Sequence, residues 1–207
     1  MIATNLRENM QNTGITVEKI SYNFIKFVEG DKKAFSFFYK YFINDLYAYG
    51  RSLGVEEKYV MDAVQDIFLK VFFDRPHLTS VKHFKYFLFK SLKNRLYDLF
   101  KSKSFLKTDD INEDVLNFSI QTTVLDEIID NENRTIIQQK IEKLLSVLSP
   151  LQKETLYLRY IQELEYAEIS EIMDKSEVSI RKLVSQAIHK IKKENKILLM
   201  IGFIALL

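Results

Sequence analysis

Five glycines and two prolines are all that punctuate 207 residues. So few breakers cannot supply the many tight turns of a sheet protein. The apolar residues also recur near every 3.6 positions, the period of a helix with one buried face. The chain is therefore expected to be all-α. Breaks are expected at Gly30-Asp31, between Gly50 and Gly54, between Asp74 and Ser80 around Pro76, and from Lys103 to Asp114. Helices then fall near residues 16–29, 31–50, 56–73 and 80–102, and again near 134–147, 150–162, 165–173 and 177–196. Ser149-Pro150 reads as a helix start, because proline at the first helical position loses no hydrogen bond that the helix needs.

A net charge of +2 says little about partners, but its distribution says more. Residues 81–103 carry seven Lys/Arg against one acid, residues 104–133 one lysine against eight acids, and residues 175–193 six Lys/Arg against one acid. Two cationic stretches around an anionic one suggest two contacts with a single polyanion. The polar, acidic middle reads as a linker or a loosely held segment. The expected organisation is a flexible N-terminus over 1–15, a helical domain over 16–103, an acidic linker over 104–133, a second helical domain over 134–196 and an apolar tail over 197–207. At 47% hydrophobic, the chain has enough apolar side chain to fill two small cores.

Several function classes are excluded or disfavoured. Without cysteine there are no disulfides and no thiolate metal sites, and three scattered histidines argue against a metal enzyme. No glycine loop to cradle phosphate and no pairing of a nucleophile with a base stands out, so no catalytic residue, metal or cofactor is expected. The first residues, MIATNLRENMQNTG, lack the apolar core of a secretion signal, which points to an intracellular chain. The tail's apolar run, Ile197 to Leu207, has 11 residues where a membrane-spanning helix needs about 20, so no membrane span is expected. Such an end needs cover, by packing back on the second domain, which is the simplest form, by binding a partner protein or by self-association.

The stretch FKYFLFKSLKNRLYDLFKSK, residues 84–103, mixes rings with positive charge. At 100° per residue, Leu88, Phe89, Leu92, Leu96, Leu99 and Phe100 share a core face. The opposite face carries Lys90, Lys93, Asn94 and Lys101 together with Tyr86, Phe87 and Tyr97. Lysines attract phosphate and aromatic faces stack on unpaired bases, the combination that suits single-strand binding; each stacked base is worth roughly 1–3 kcal/mol. The plainer alternative packs those rings against preceding helices. In EEKYVMDAVQDIFLKVFFD, residues 56–74, Val60, Val64, Ile67, Phe68 and Val71 form the core stripe, and Asp62, Gln65, Asp66, Leu69 and Phe73 lie opposite. Acids around large apolar side chains suit a protein interface with a basic partner, unless another helix of the same domain covers Leu69 and Phe73.

Residues 164–193, LEYAEISEIMDKSEVSIRKLVSQAIHKIKK, have the form of a helix-turn-helix. Ile169, Ile172 and Met173 face inward, Asp174-Lys175 turns the chain, Ser176 caps the next helix, and Ile180, Leu183, Val184, Ala187, Ile188 and Ile191 bury it. The exposed face offers Arg181, Lys182, Ser185, Gln186, His189, Lys192 and Lys193. Arg181 and Gln186 suit base edges, and Lys182, Lys192 and Lys193 suit phosphates.

With these segments in order, the chain resembles the extracytoplasmic-function (ECF) group of the bacterial sigma-70 family of transcription initiation factors, over roughly residues 20–195. GDKKAFSFFYKYFINDLYAY is similar to the first helices of region 2, DAVQDIFLKVF to its polymerase-binding helix, and FKYFLFKSLKNRLYDLF to the helix that melts and reads the −10 element. LSPLQKETLYLRYIQELEYAEISEIMDKSEVSIRKLVSQA is similar to region 4, the −35 reader. The resemblance implies a cytoplasmic protein that binds core RNA polymerase through the β′ clamp helices and the β flap, and promoter DNA as −35 duplex and −10 single strand. An anti-sigma factor is a further candidate partner. On this resemblance Asp62, Gln65, Asp66, Leu69 and Phe73 would meet polymerase. His83, Tyr86, Phe87, Lys90, Lys93, Asn94, Tyr97 and Lys101 would meet −10 DNA, with Asn94 near a flipped base. Ser176, Ser179, Arg181, Lys182, Ser185, Gln186 and His189 would meet −35 DNA. The linker would follow the path of nascent RNA. Leu183 and Gln186 stand where the family is often basic, which implies modest phosphate affinity there. Two rivals remain: a stand-alone helix-turn-helix regulator, and a helical adaptor that binds proteins only.

Overall fold

A computed structural model describes residues 16–74, 77–104, 118–119 and 141–204, with side chains through residue 101 in the second stretch and through residue 194 in the last. Among them all regular structure is helical: α1 (Val17–Val28), α2 (Lys32–Ser52), α3 (Glu57–Asp74), α4 (Val81–Ser104), α5 (Pro150–Leu156), α6 (Tyr166–Ile172) and α7 (Glu177–Ile204). Residues 141–146 are helical as well. The starts are fixed by side-chain caps. Thr16 accepts from the Lys19 amide, Asp31 accepts from the Ala34 amide at 2.8 Å, and Ser149 and Gln152 exchange hydrogen bonds around Pro150.

The expected break between Gly50 and Gly54 is narrower than the glycines imply. Helix α2 runs through Gly50 to Ser52, and Gly54, at φ 81°, makes the turn. Gly50 serves packing, since a Cβ there would stand 2.6 Å from Val60 Cγ1, so α2 and α3 approach closely only without it. The helix expected over 150–162 also differs. Its α-helical part ends at Leu156 and the chain widens into a π-helical turn, Tyr157–Ile161. The backbone of α7 reaches Ile204, but the side chains that would show whether the tail packs back lie outside the described residues. Residues 1–15, residues 134–140 and all but Ser104, Phe118 and Ser119 of the 104–133 segment also lie outside the described residues.

The core of α1 to α4 is built on rings. Phe84 of α4 is fully buried, its centroid 4.7 Å from Phe27, 5.5 Å from Phe42, 5.6 Å from Phe38 and 6.4 Å from Phe68. Around it lie the whole α3 stripe, Val60, Val64, Ile67, Phe68 and Val71, and from α4 Leu88, Phe89, Leu92 and Leu96. Leu99 and Phe100, also expected in that core, are half-buried. In the C-terminal half Ile169, Ile172, Met173, Ile180, Val184 and Ala187 are buried with Leu158 and Leu164, while Leu183, Ile188 and Ile191 are half-buried.

The two halves meet. Tyr49 of α2 is buried and stacks on Tyr157 of the π-helical turn, with centroids 6.0 Å apart and planes 11° from parallel. Phe118 wedges beside both, 6.2 Å from Tyr49 and 5.5 Å from Tyr157, and the Ser119 amide donates to the Ser52 carbonyl at 2.7 Å. The segment read from its composition as loosely held is thus anchored at Phe118, which is 1% exposed. Its acids hid a ring that finds a buried seat.

Candidate nucleic-acid interface

Helix α3 presents its two faces as the sequence orders them. With Val60, Val64, Ile67, Phe68 and Val71 buried, Asp62, Gln65 and Asp66 are exposed on the other side, as are Leu69 at 53% and Phe73 at 74%. No helix of the described residues covers these last two. Asp66 is engaged: its carboxylate accepts from Arg95 of α4 at 2.9 Å. Behind this pair a groove of ≈ 410 Å³, lined by Asp66, Lys70, Phe87, Asn94 and Arg95 among others, joins the acidic face of α3 to α4.

The cationic face of α4 is less open than the sequence indicated. Tyr86, Phe87 and Tyr97 are half-buried, and Asn94 and Lys101 are exposed. His83 stacks on Tyr86 with centroids 5.9 Å apart, and its Nδ1 accepts from the Thr79 amide at 3.3 Å. The Lys101 ammonium lies 4.8 Å above the Tyr97 ring, a cation–π contact that keeps the ring at the surface. The upper lysines have carboxylate partners on the C-terminal half. Lys82 meets Glu165 at 2.7 Å, Lys90 meets Glu171, and Lys93 meets Glu154 at 2.7 Å. Tyr86 donates its hydroxyl to the same Glu171. Charge-assisted bonding from Lys90, helped by Tyr86, holds the Glu171 carboxyl below its ordinary range and raises the Lys90 ammonium; Lys82 lowers Glu165 likewise. Burial raises the Tyr86 phenol, and Glu171 raises it further.

The Lys93–Glu154 pair is set deeper, with side chains 17% and 5% exposed, and Tyr49 donates to the same Glu154 oxygen at 2.7 Å. Burial, then the Glu154 charge, pushes the Tyr49 phenol well above its ordinary value. Beside it Asp45 and Lys85 also enter the seam. Burial raises the Asp45 carboxyl, offset by Lys85 and a hydrogen bond from Gln162, and burial lowers the Lys85 ammonium, offset by Asp45, Glu163 and Glu168.

In the helix-turn-helix, Met173 ends α6, Asp174 takes the left-handed conformation at φ 49°, and Ser176 Oγ accepts from the Ser179 amide at 3.2 Å to start α7. Ser176, Ser179, Arg181, Lys182, Ser185, Gln186 and His189 are all exposed along one helix. Arg181 is occupied: its guanidinium lies 4.3 Å over the Tyr166 ring and bonds to Glu177. These are surface contacts, weak enough to exchange for a ligand.

Glu154, Glu165, Glu171, Tyr49 and Phe118 are the residues that sequence reasoning missed. Periodicity assigns a residue to a face of its own helix and is silent on which distant helix that face meets. Glu154 left one signal, an acid on the inward side of a short helix. Among the described residues no group of histidines and acids could hold a metal ion, and no helix is long and apolar enough to cross a membrane.

Two comparisons with known proteins bear on these surfaces. The family description "Sigma-70, region 4" matches residues 138–191, which span α5, α6 and the first half of α7. Over 156 residues the chain is 26% identical to the ECF RNA polymerase sigma factor SigM of Bacillus subtilis (strain 168), a match covering 74% of this chain and 90% of that protein.

Proposed function

We propose that the chain acts as a sigma factor of the ECF group of the sigma-70 family, and that its three surfaces divide the work of promoter recognition. The exposed face of α3 docks on the β′ clamp helices of core RNA polymerase, Leu69 and Phe73 as apolar anchors and Asp62, Gln65 and Asp66 selecting a basic partner. The C-terminal half meets the β flap. Helix α7 enters the major groove at the −35 element, where Arg181 and Gln186 face base edges and Lys182 meets phosphate, with Ser176, Ser179, Ser185 and His189 beside them. Helix α4 takes the −10 strand as the duplex opens. There Tyr86, Phe87 and Tyr97 stack on bases, His83, Lys90, Lys93 and Lys101 hold the backbone, and Asn94 bonds a flipped base edge. The chain does no covalent chemistry; polymerisation and its magnesium belong to the partner enzyme. Its place of action is the bacterial cytoplasm, where that enzyme works. The organisation follows: 16–103 for polymerase and −10 contacts, 134–196 for −35 contacts, with 104–133 between them along the path of nascent RNA.

The observation that carries this reading is the uncovered pair Leu69 and Phe73 amid acids on a helix whose other face is fully buried. A regulator acting alone needs no such face. Gel shift of a promoter fragment with and without core polymerase separates the readings. Tight, specific binding is expected only with polymerase; binding by the chain alone would favour the regulator, and no binding in either case the adaptor. Within that complex Asn94→Ala is expected to lower open-complex formation about tenfold, the worth of roughly one hydrogen bond, with polymerase affinity unchanged. Equal loss of both would place Asn94 in folding instead.

A further inference from the structure

We propose that Tyr166 is a positioning residue for −35 recognition: its ring, together with Glu177, holds the Arg181 guanidinium so that the one free edge of that group reads a guanine in the major groove. This rests on the assignment of Arg181 to a base edge and adds what makes that contact selective. Tyr166 lies at the start of α6, outside the exposed row of α7 that faces DNA.

The ring is set in place by the chain before it. Arg159, in the π-helical turn, donates from Nη1 to the Leu164 carbonyl at 2.7 Å and to Glu165 at 3.1 Å, so residues 162–165 wrap around its guanidinium. Glu163 takes the left-handed conformation at φ 56° within that wrap, and the Glu168 carboxylate accepts from the Glu165 amide at 2.7 Å to start α6. The Arg159 guanidinium then lies 4.7 Å from the centroid of the Tyr166 ring, and that of Arg181, from α7, lies 4.3 Å from the same centroid. Both are cation–π distances. Two like charges converge on one half-buried ring, and its negative face, with Glu165 and Glu177, offsets their repulsion.

The edges of Arg181 are not used equally. Glu177 accepts from Nε at 3.0 Å and from Nη2, which occupies the side-on edge of the group. The ring takes the flat face. Left over is the end-on edge, where one N–H of Nη1 and one of Nη2 form the fork that matches O6 and N7 of guanine. The side chain is 58% exposed, so a ligand can reach that edge before either contact is exchanged. An unheld arginine on a helix surface loses rotamer freedom on binding and settles on a phosphate as readily as on a base. Held in one plane beforehand, it loses less and meets what lies along its end-on edge.

The test uses the full chain with core RNA polymerase and a promoter pool randomised over the −35 element, sequenced before and after retention. The unsubstituted chain is expected to prefer guanine at one position, and Arg181→Ala to lower that preference about tenfold. Tyr166→Leu should lower it about threefold at the same position and no other, as for loss of one exposed cation–π contact, while Tyr166→Phe keeps it. In the Arg181→Ala background Tyr166→Leu should change it no further. Nuclear magnetic resonance on the free, unsubstituted chain needs no variant to fold: the Arg181 Nε–H should be nearly as ordered as the backbone. An Arg181→Ala form with unaltered base preference overturns the base contact of Arg181, and this proposal with it. Preference lost in Arg181→Ala but kept in Tyr166→Leu, a loss spread evenly over all sequences in Tyr166→Leu, or an Arg181 side chain that rotates freely overturns the role of Tyr166 alone.

Discussion

Replacing Asp62 and Asp66 together with lysine is expected to weaken association with core RNA polymerase about a hundredfold or more and to leave the fold intact. Both carboxylates are exposed, and α3 is held from its other side by Val60, Val64, Ile67, Phe68 and Val71. The one intramolecular contact at risk is Asp66 with Arg95, whose side chains are 53% and 47% exposed, and a surface pair of that kind is worth about 1 kcal/mol at most. At the interface the balance differs. Like charges brought together there cost several kcal/mol, and each 1.4 kcal/mol is about tenfold in affinity. Co-purification or titration with core enzyme, beside a thermal melt, checks both halves of the statement. Unchanged association would remove α3 from the interface.

Phe84→Ala should have the largest effect on stability, a loss of about 3–5 kcal/mol, because the ring is fully buried among four other phenylalanines and its removal leaves a cavity as well as lost contacts. That is a large share of the roughly 5–15 kcal/mol that holds a domain folded, so the denaturant midpoint should fall well below that of the unsubstituted chain. Phe73→Ala makes the opposite case. Its ring is 74% exposed, so stability should move by about 0.5 kcal/mol or less while polymerase affinity drops about tenfold, as for an anchor residue. A Phe73 variant that unfolded, or a Phe84 variant that did not, would mean that the two faces of this half have been assigned the wrong way round.

What the sequence made legible follows from what periodicity encodes. Scarce glycine and proline with a 3.6-residue apolar period fixed an all-helical chain and the buried stripe of α3 in full, because those features are local to each helix. The turn at Asp174 and the Ser176 cap were equally local. Gly50 misled, since a glycine required by close packing with Val60 has the same letter as one that turns the chain. The cationic side of α4 was found, but its partners were not. Glu154, Glu165 and Glu171 reach Lys93, Lys82 and Lys90 only through the packing of one half on the other, which no single helical pattern records. Phe118 was lost among acids for the same reason: its seat between Tyr49 and Tyr157 is made by residues from both halves.

Selection of start sites by a borrowed enzyme is the central property of the proposed function. Core RNA polymerase incubated with genomic fragments, with and without the purified chain, and followed by sequencing of transcript 5′ ends, measures that directly. Discrete starts that share upstream elements, present only when the chain is added and absent with the Asp62→Lys/Asp66→Lys form, are the expected result. Transcripts whose starts are indifferent to the chain at every salt concentration would contradict it.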